Sequence, residues 1–257
     1  MLLLIDVGNS QTVIAAVDPA VGSFHHTWRV ETNRDLAAAG WQALISSGAA
    51  ESKFDFTSIS AIAISSVVPS ITPTLSTLFL EWLSVQPLII TSNLRLGIQL
   101  AVNQPEKVGT DRLCNATAAY LLAGSAVIVV DVGSATKLEA ITRDGTFVGG
   151  AIAPGIGVSL EALVGRAAQL YTVPLDFPQS PIGKSTVGAM QSGLILGHLA
   201  MMEGMIFRFR EHLDDEAPAI LTGGYGQLFN QKSTAFDTFD PDLTLRGILR
   251  IWQLNQK

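Results

Sequence analysis

An aspartate ends an apolar run and opens into a glycine-containing turn at two places in this chain. One reads Ile5-Asp6-Val7-Gly8-Asn9-Ser10, the other Val130-Asp131-Val132-Gly133-Ser134-Ala135. Such a turn gathers backbone N–H groups into a concave nest that holds phosphate oxygens. Its glycine lets the backbone approach a ligand closely. Its carboxylate is a hard oxygen donor of the kind that takes up the Mg²⁺ accompanying a nucleotide. A plain hairpin turn explains either copy alone equally well; two facing copies make a clamp for a polyphosphate and its cations. A third cluster is Gly109-Thr110-Asp111-Arg112. Here Gly109 permits a tight backbone approach, and Arg112 offers a planar donor fork for carboxylate or phosphate. Asp111 supplies the carboxylate that phosphoryl transfer to an alcohol requires beside the hydroxyl. An isolated Asp-Arg pair at a helix start would be only a surface ion pair.

The elements that must position these groups follow from hydrophobic patterning. Residues 2–5 read as a buried strand, and 13–17 resume it as a hairpin partner before the Asp18-Pro19 turn. A helix is expected over 36–44, a second buried strand over 59–64, a helix over 71–83 and a short strand from 87 to 90. The pattern then restarts. Residues 126–130 form a strand ending in Asp131, and a hairpin follows over 137–142 and 146–150 with Asp144-Gly145 at its turn. A repeat 125 residues apart predicts two similar α/β lobes, 1–115 and 116–257, joined near 113–125 by a short crossing helix.

Composition narrows the classes. With 48% hydrophobic and 15% charged residues, the chain has ample material for packed cores. A net charge of −6 without a Lys/Arg run disfavours a nucleic-acid partner. The N-terminal apolar run meets Asp6 too soon, and lacks the basic flank, for a signal peptide. No stretch approaches the roughly 18 apolar residues of a spanning helix, so no membrane partner is expected. One cysteine, Cys114, excludes an intramolecular disulfide and fits a cytoplasmic location. Cys114 itself reads as a buried helix residue. His25, His26, His198 and His212 show no zinc-ligand spacing with it, and Met201, Met202 and Met205 read as packing residues.

The double Asp-x-Gly hairpin resembles the actin/hexokinase-like superfamily. Finer matches resemble the type III pantothenate kinases: IDVGNS at 5–10, SSVVP at 65–69, GTDR at 109–112, DVGSA at 131–135 and GGAIAPG at 149–155. IGKST with AMQSG at 182–193, TGG at 222–224 and DPDLTLRGI at 240–248 complete the set, in family order and over nearly the whole chain. The resemblance implies an α/β fold of two ribonuclease-H-like lobes with the active site in the cleft between them. It implies ATP-dependent phosphorylation of pantothenate, the first step toward coenzyme A, by a homodimer. Asp111 is then the general base, and Gly109, Thr110, Asp111, Arg112 and Thr186 bind pantothenate. Asp6, Val7, Gly8, Asn9, Ser10, Gln11, Thr12 and Val13 handle ATP and its phosphates, with Mg²⁺ at Asp6. Ser134, where the family generally has threonine, also contacts ATP, and Asp131 takes a monovalent cation, K⁺ or NH₄⁺.

The sequence departs from the family at two further places. Lys137 stands where the family often has threonine; it either points at phosphate or is simply an exposed hairpin lysine. Val102 replaces a frequent tyrosine ahead of GTDR and alters the expected pocket wall. Ser185 or Thr186 is expected to cap a helix running to about 213, whose glycines at 188, 193 and 197 suit close packing by another helix. Gly223 and Gly224 suit either approach to adenosine or a plain turn. Two other functions remain open: an accessory factor in transcription, and a kinase of the same fold acting on another alcohol such as a sugar.

Overall fold

Leu2, Leu3, Leu4 and Ile5 are apolar without alternation because the strand they form, β1 (Leu2–Val7), is covered on both faces. The structure, a computed structural model, describes residues 1–50, 54–213 and 216–256. It divides into two compact units. The first comprises Met1–Gln99, Asn103–Ala118 and Leu243–Lys257, the second Leu100–Val102 and Ala119–Asp242.

In the first unit β1 is flanked by β2 (Gln11–Val17), antiparallel, and β4 (Ala61–Ser66), parallel. With β3 (Phe24–Glu31) and β5 (Leu88–Ile89) they form a sheet of order β3-β2-β1-β4-β5. Leu3, Ile5 and Val7 share a core with Trp41 and Ile45 of α1 (Ala38–Gly48) and Leu75 and Phe79 of α2 (Ile71–Leu83). The buried residues of α2 fall at Ile71, Leu75, Leu78 and Phe79, one stripe of a 3.6-residue period. Ser84, in the left-handed region with φ 57, ends it: its N–H donates to the Leu80 carbonyl and that of Val85 to the Phe79 carbonyl. The C-terminal helix (Leu243–Leu254) packs on β1 and β4, and its Gly247 lies so close to the Cys114 backbone that a Cβ would overlap it.

The second unit repeats this plan. Its strands are β7 (Val127–Val132), β8 (Ala135–Ile141), β9 (Thr146–Pro154), β10 (Ala219–Thr222) and β11 (Thr238–Phe239), with the short β6 (Gln99–Leu100) at one edge. The order β11-β10-β7-β8-β9-β6, read in reverse, reproduces that of the first sheet with β6 added. The pairings repeat as well: β7 is antiparallel to β8 and parallel to β10. Ile128, Val130 and Val132 form a core with Ile195, Leu199, Met202 and Ile206. These last residues lie on the continuous helical run α5 (Thr186–Gln191), a π-helical turn at Ser192–Leu196, and α6 (Gly197–Leu213).

The expected helix over 71–83 and the strands around 2–5, 59–64 and 126–130 are all present. The strand β3 was not expected. Its residues alternate along the strand, with Trp28 and Val30 buried between exposed neighbours, but the two histidines and Arg29 dilute the apolar signal. One boundary between the units falls within α3 (Thr110–Ala123), between Ala118 and Ala119.

Candidate active site

At the end of β1 the turn closes with Gly8 donating its N–H to the Gln11 carbonyl at 3.0 Å. A Cβ on Gly8 would sit 2.8 Å from that oxygen, so the turn requires glycine for close approach. Asn9, Ser10 and Gln11 are exposed at its tip. Arg34 donates to the Asn9 side-chain oxygen at 2.8 Å and steadies the tip from outside. Thr12 and Val13 return into the sheet; Thr12 is buried, with its hydroxyl 2.9 Å from that of Thr32. Val7 points into the core.

Asp6 lies beside Ser65 in the parallel β1–β4 register. The Ser65 hydroxyl donates to Asp6 Oδ1 at 3.1 Å and lies 3.0 Å from the Thr110 hydroxyl. A chain of oxygens therefore runs from the carboxylate of β1 to the first residue of α3. Asp111 follows in the first turn of that helix, where a negative charge suits the helix dipole. Its Oδ1 accepts the backbone N–H of Arg112 at 2.8 Å, and a Cβ on Gly109 would lie 2.5 Å from the same oxygen. Gly109, Thr110, Asp111 and Arg112 are all partly exposed. Cys114 is buried, as expected. Burial, then the Asp6 charge, pushes its thiol well above the ordinary range, so it is no nucleophile.

In the second unit Asp131 pairs with Thr222 of β10, the counterpart of the Asp6–Ser65 relation, and with Lys137 of β8. Lys137 is not an exposed hairpin lysine. Its Nζ lies 2.8 Å from Asp131 Oδ2, with the two side chains only 15% and 13% exposed. Gly223, at φ 93, lies against the other side of that carboxylate, and a Cβ there would overlap Asp131 Oδ1 and the Val132 backbone. With Gly226 donating to the Gly223 carbonyl, residues 222–224 form a turn that serves β7 packing, while Gly224 faces open space. Ser134 is exposed at the hairpin tip. Gly155, the N-cap of α4 (Ile156–Arg166), donates its N–H to the Ser134 carbonyl at 3.2 Å and admits no Cβ. Thr136, on β8, has its hydroxyl 2.7 Å from Nε2 of the buried His198.

Ser185 caps α5 by accepting the Gly188 N–H at 3.1 Å, leaving Thr186 exposed as the first helical residue. Val102 sits near the edge of the second sheet, its Cγ1 3.8 Å from where a Cβ on Gly149 would be. Four contributors escaped the sequence reading: Ser65, the hydroxyl of Thr110 as a link to Ser65, Thr222 and Arg34. The first and third carried a signal, since each is a hydroxyl residue at the end of an apolar strand in the corresponding place of a repeat.

These hairpins can be set beside known proteins. The profile of the type III pantothenate kinases matches residues 2–208. The type III pantothenate kinase of Thermomicrobium roseum is 42% identical over 248 residues, covering 96% of this chain and 95% of that one. The chain belongs to the type III pantothenate kinase family. More distant likenesses speak to the fold alone. A Baf family transcriptional activator from Campylobacter jejuni aligns with TM-score 0.63 at 18% identity, over 98% of both chains. The inorganic polyphosphate/ATP-glucomannokinase of an Arthrobacter species aligns with TM-score 0.51 at 13% identity, again over 98% of both. The fold is the actin/hexokinase-like one, each unit carrying the ribonuclease-H-like strand order.

Membership of this kinase family implies ATP with a divalent metal, and the expectations for the two aspartates are Mg²⁺ at Asp6 and a monovalent ion at Asp131. Mg²⁺ fits Asp6: the carboxylate is partly exposed, its neighbours Ser65 and Thr110 offer oxygen, and phosphates would complete the shell. A monovalent ion does not fit Asp131 in the same way, because an ammonium already holds Oδ2. Among the described residues, no helix is long and apolar enough to cross a membrane.

Proposed function

We propose that this protein transfers the γ-phosphoryl group of ATP to the primary hydroxyl of pantothenate, giving 4′-phosphopantothenate and ADP. Family membership over residues 2–208 carries this reading. It is supported by the oxygen chain Asp6–Ser65–Thr110, which ties the phosphate turn to the helix start bearing Asp111. The hydroxyl oxygen of pantothenate forms the new P–O bond. The bond from the γ-phosphorus to the bridging oxygen breaks, and ADP leaves with that electron pair. Asp111 accepts the hydroxyl proton. Arg112 supplies donors for an anionic group of the bound substrates, and Gly109, Thr110 and Thr186 line the acceptor. The turn from Asp6 to Val13 cradles the phosphates, and Ser134 gives its hydroxyl to the nucleotide. Mg²⁺ held at Asp6 would neutralise charge building on the phosphate oxygens.

The same reading includes a homodimer at work in the cytoplasm. Its support is a line of glycines, Gly193, Gly197 and Gly204, at which a Cβ would meet no atom within 4 Å, with the exposed Phe207 nearby in sequence. Sedimentation at micromolar concentration tests it: a monomer that G197L leaves unchanged contradicts this interface.

The activity is tested by ADP formation from MgATP across pantothenate, glycerol and hexoses. Turnover that depends on pantothenate is expected. A protein that phosphorylates hexoses and ignores pantothenate refutes the assignment.

A further inference from the structure

The two Asp-x-Gly hairpins occupy the same place in two copies of one topology, yet their aspartates face different residues. The hairpins differ in length by one residue. In the first, Gly8 is bonded to Gln11 across two tip residues, and the register sets Val13 opposite Asp6. In the second, Gly133 donates its N–H to the Ala135 carbonyl, so only Ser134 is left at the tip. That register sets Lys137 directly opposite Asp131, on the same face of the sheet. The resulting ion pair, 2.8 Å long, is largely withdrawn from solvent. It is therefore not the loose surface bridge that contributes little to anything. Gly223 backs onto the other carboxylate oxygen and leaves little room for a further ligand there.

We infer that Lys137 is a built-in replacement for the monovalent cation at Asp131, so that nucleotide binding and phosphoryl transfer in this protein do not respond to K⁺ or NH₄⁺. An ammonium on a side chain supplies the single positive charge that such an ion would bring, at a position fixed by strand register. Being covalently tethered, it needs no concentration of salt to stay in place. Its charge balances Asp131 in a partly dry setting where an unpaired carboxylate would repel an incoming polyphosphate. The inference rests on the proposed nucleotide site, but its test does not depend on the identity of the acceptor.

The experiment measures binding of a non-hydrolysable ATP analogue with Mg²⁺ by calorimetry, alongside melting temperature. It compares KCl, NH₄Cl, NaCl and tetramethylammonium chloride at equal ionic strength. For the natural protein, affinities within about twofold of one another in all four salts are expected, and pantothenate-dependent turnover should be equally indifferent. In K137T and K137M, affinity in tetramethylammonium should fall by at least about tenfold. KCl or NH₄Cl should restore it in K137T, with a matching rise in melting temperature. A natural protein whose analogue affinity rises about tenfold or more with K⁺ overturns the inference, since Lys137 then does not do the ion's work. So do variants that bind the analogue as the natural protein does in every salt. Salt-independent analogue binding without pantothenate turnover leaves the inference standing and removes the proposed substrate instead.

Discussion

The Ser65 hydroxyl donates to Asp6 Oδ1 from the position directly beside it in the parallel β1–β4 ladder. Thr222 holds the corresponding position beside Asp131. Each aspartate thus has a hydroxyl residue on its parallel neighbour, while its antiparallel neighbour differs: Val13 in one case and Lys137 in the other. Two chemically distinct carboxylates arise from one repeated frame.

Removing the Ser65 hydroxyl should loosen Asp6 without emptying the core. A hydrogen bond to a charged group contributes roughly 1.5–3 kcal/mol. S65A is expected to lower kcat/KM for ATP about tenfold or more. S65T, which keeps the hydroxyl, should lose less. Equal losses in both variants, tracking a drop in melting temperature, would show that only packing was disturbed.

D111N keeps size and most hydrogen bonding but cannot take up a proton. General-base assistance is worth about 10²–10⁴-fold in rate. A surface carboxylate at a helix start contributes about 0–1 kcal/mol to stability and nothing to chemistry. A fall in kcat of at least about 100-fold with little change in melting temperature is expected. Near-normal kcat in a lower-melting variant means that Asp111 is structural.

Neighbouring glycines give an internal control. Gly223 has φ 93 and no room for a Cβ, whereas Gly224 has open space. G223A should cost about 1–3 kcal/mol and weaken nucleotide binding through Asp131. G224A should stay within about 0.5 kcal/mol of the natural protein. Chemical denaturation of both reads the difference; equal effects contradict the close packing of residue 223 on Asp131.

Burial lowers the pKa of His198 below the ordinary 6.5. The folded state then binds fewer protons than the unfolded chain once pH falls through about 6.5. Stability is therefore lost on acidification through that value, until the folded-state pKa is reached, and is unaffected above it. H198Q should flatten the fall in melting temperature between about pH 7.5 and pH 5.5. An unchanged slope means that the ring beside Thr136 is not the group responsible.

Much of the frame was legible in the residues. Continuous apolar runs such as 2–5 and 126–130 are strands covered on both faces, and α2 shows its period directly. The first Asp-x-Gly turn stands out because a Cβ at Gly8 would meet the Gln11 carbonyl oxygen at 2.8 Å. The strand β3 did not, because two histidines and an arginine interrupt an alternation that only a half-covered face explains.

By itself, then, the sequence determined the repeated hairpins, the family and the residue types available for phosphoryl transfer. These depend on local backbone chemistry and on order along the chain. Tertiary structure alone decided which groups meet. Ser65 and Asp6 are 59 residues apart and are joined only by a parallel ladder, whose register no local pattern sets. The fate of Lys137 turned on hairpin length. One tip residue fewer than in the first copy set its ammonium opposite Asp131, because strand register fixes which side chains face each other.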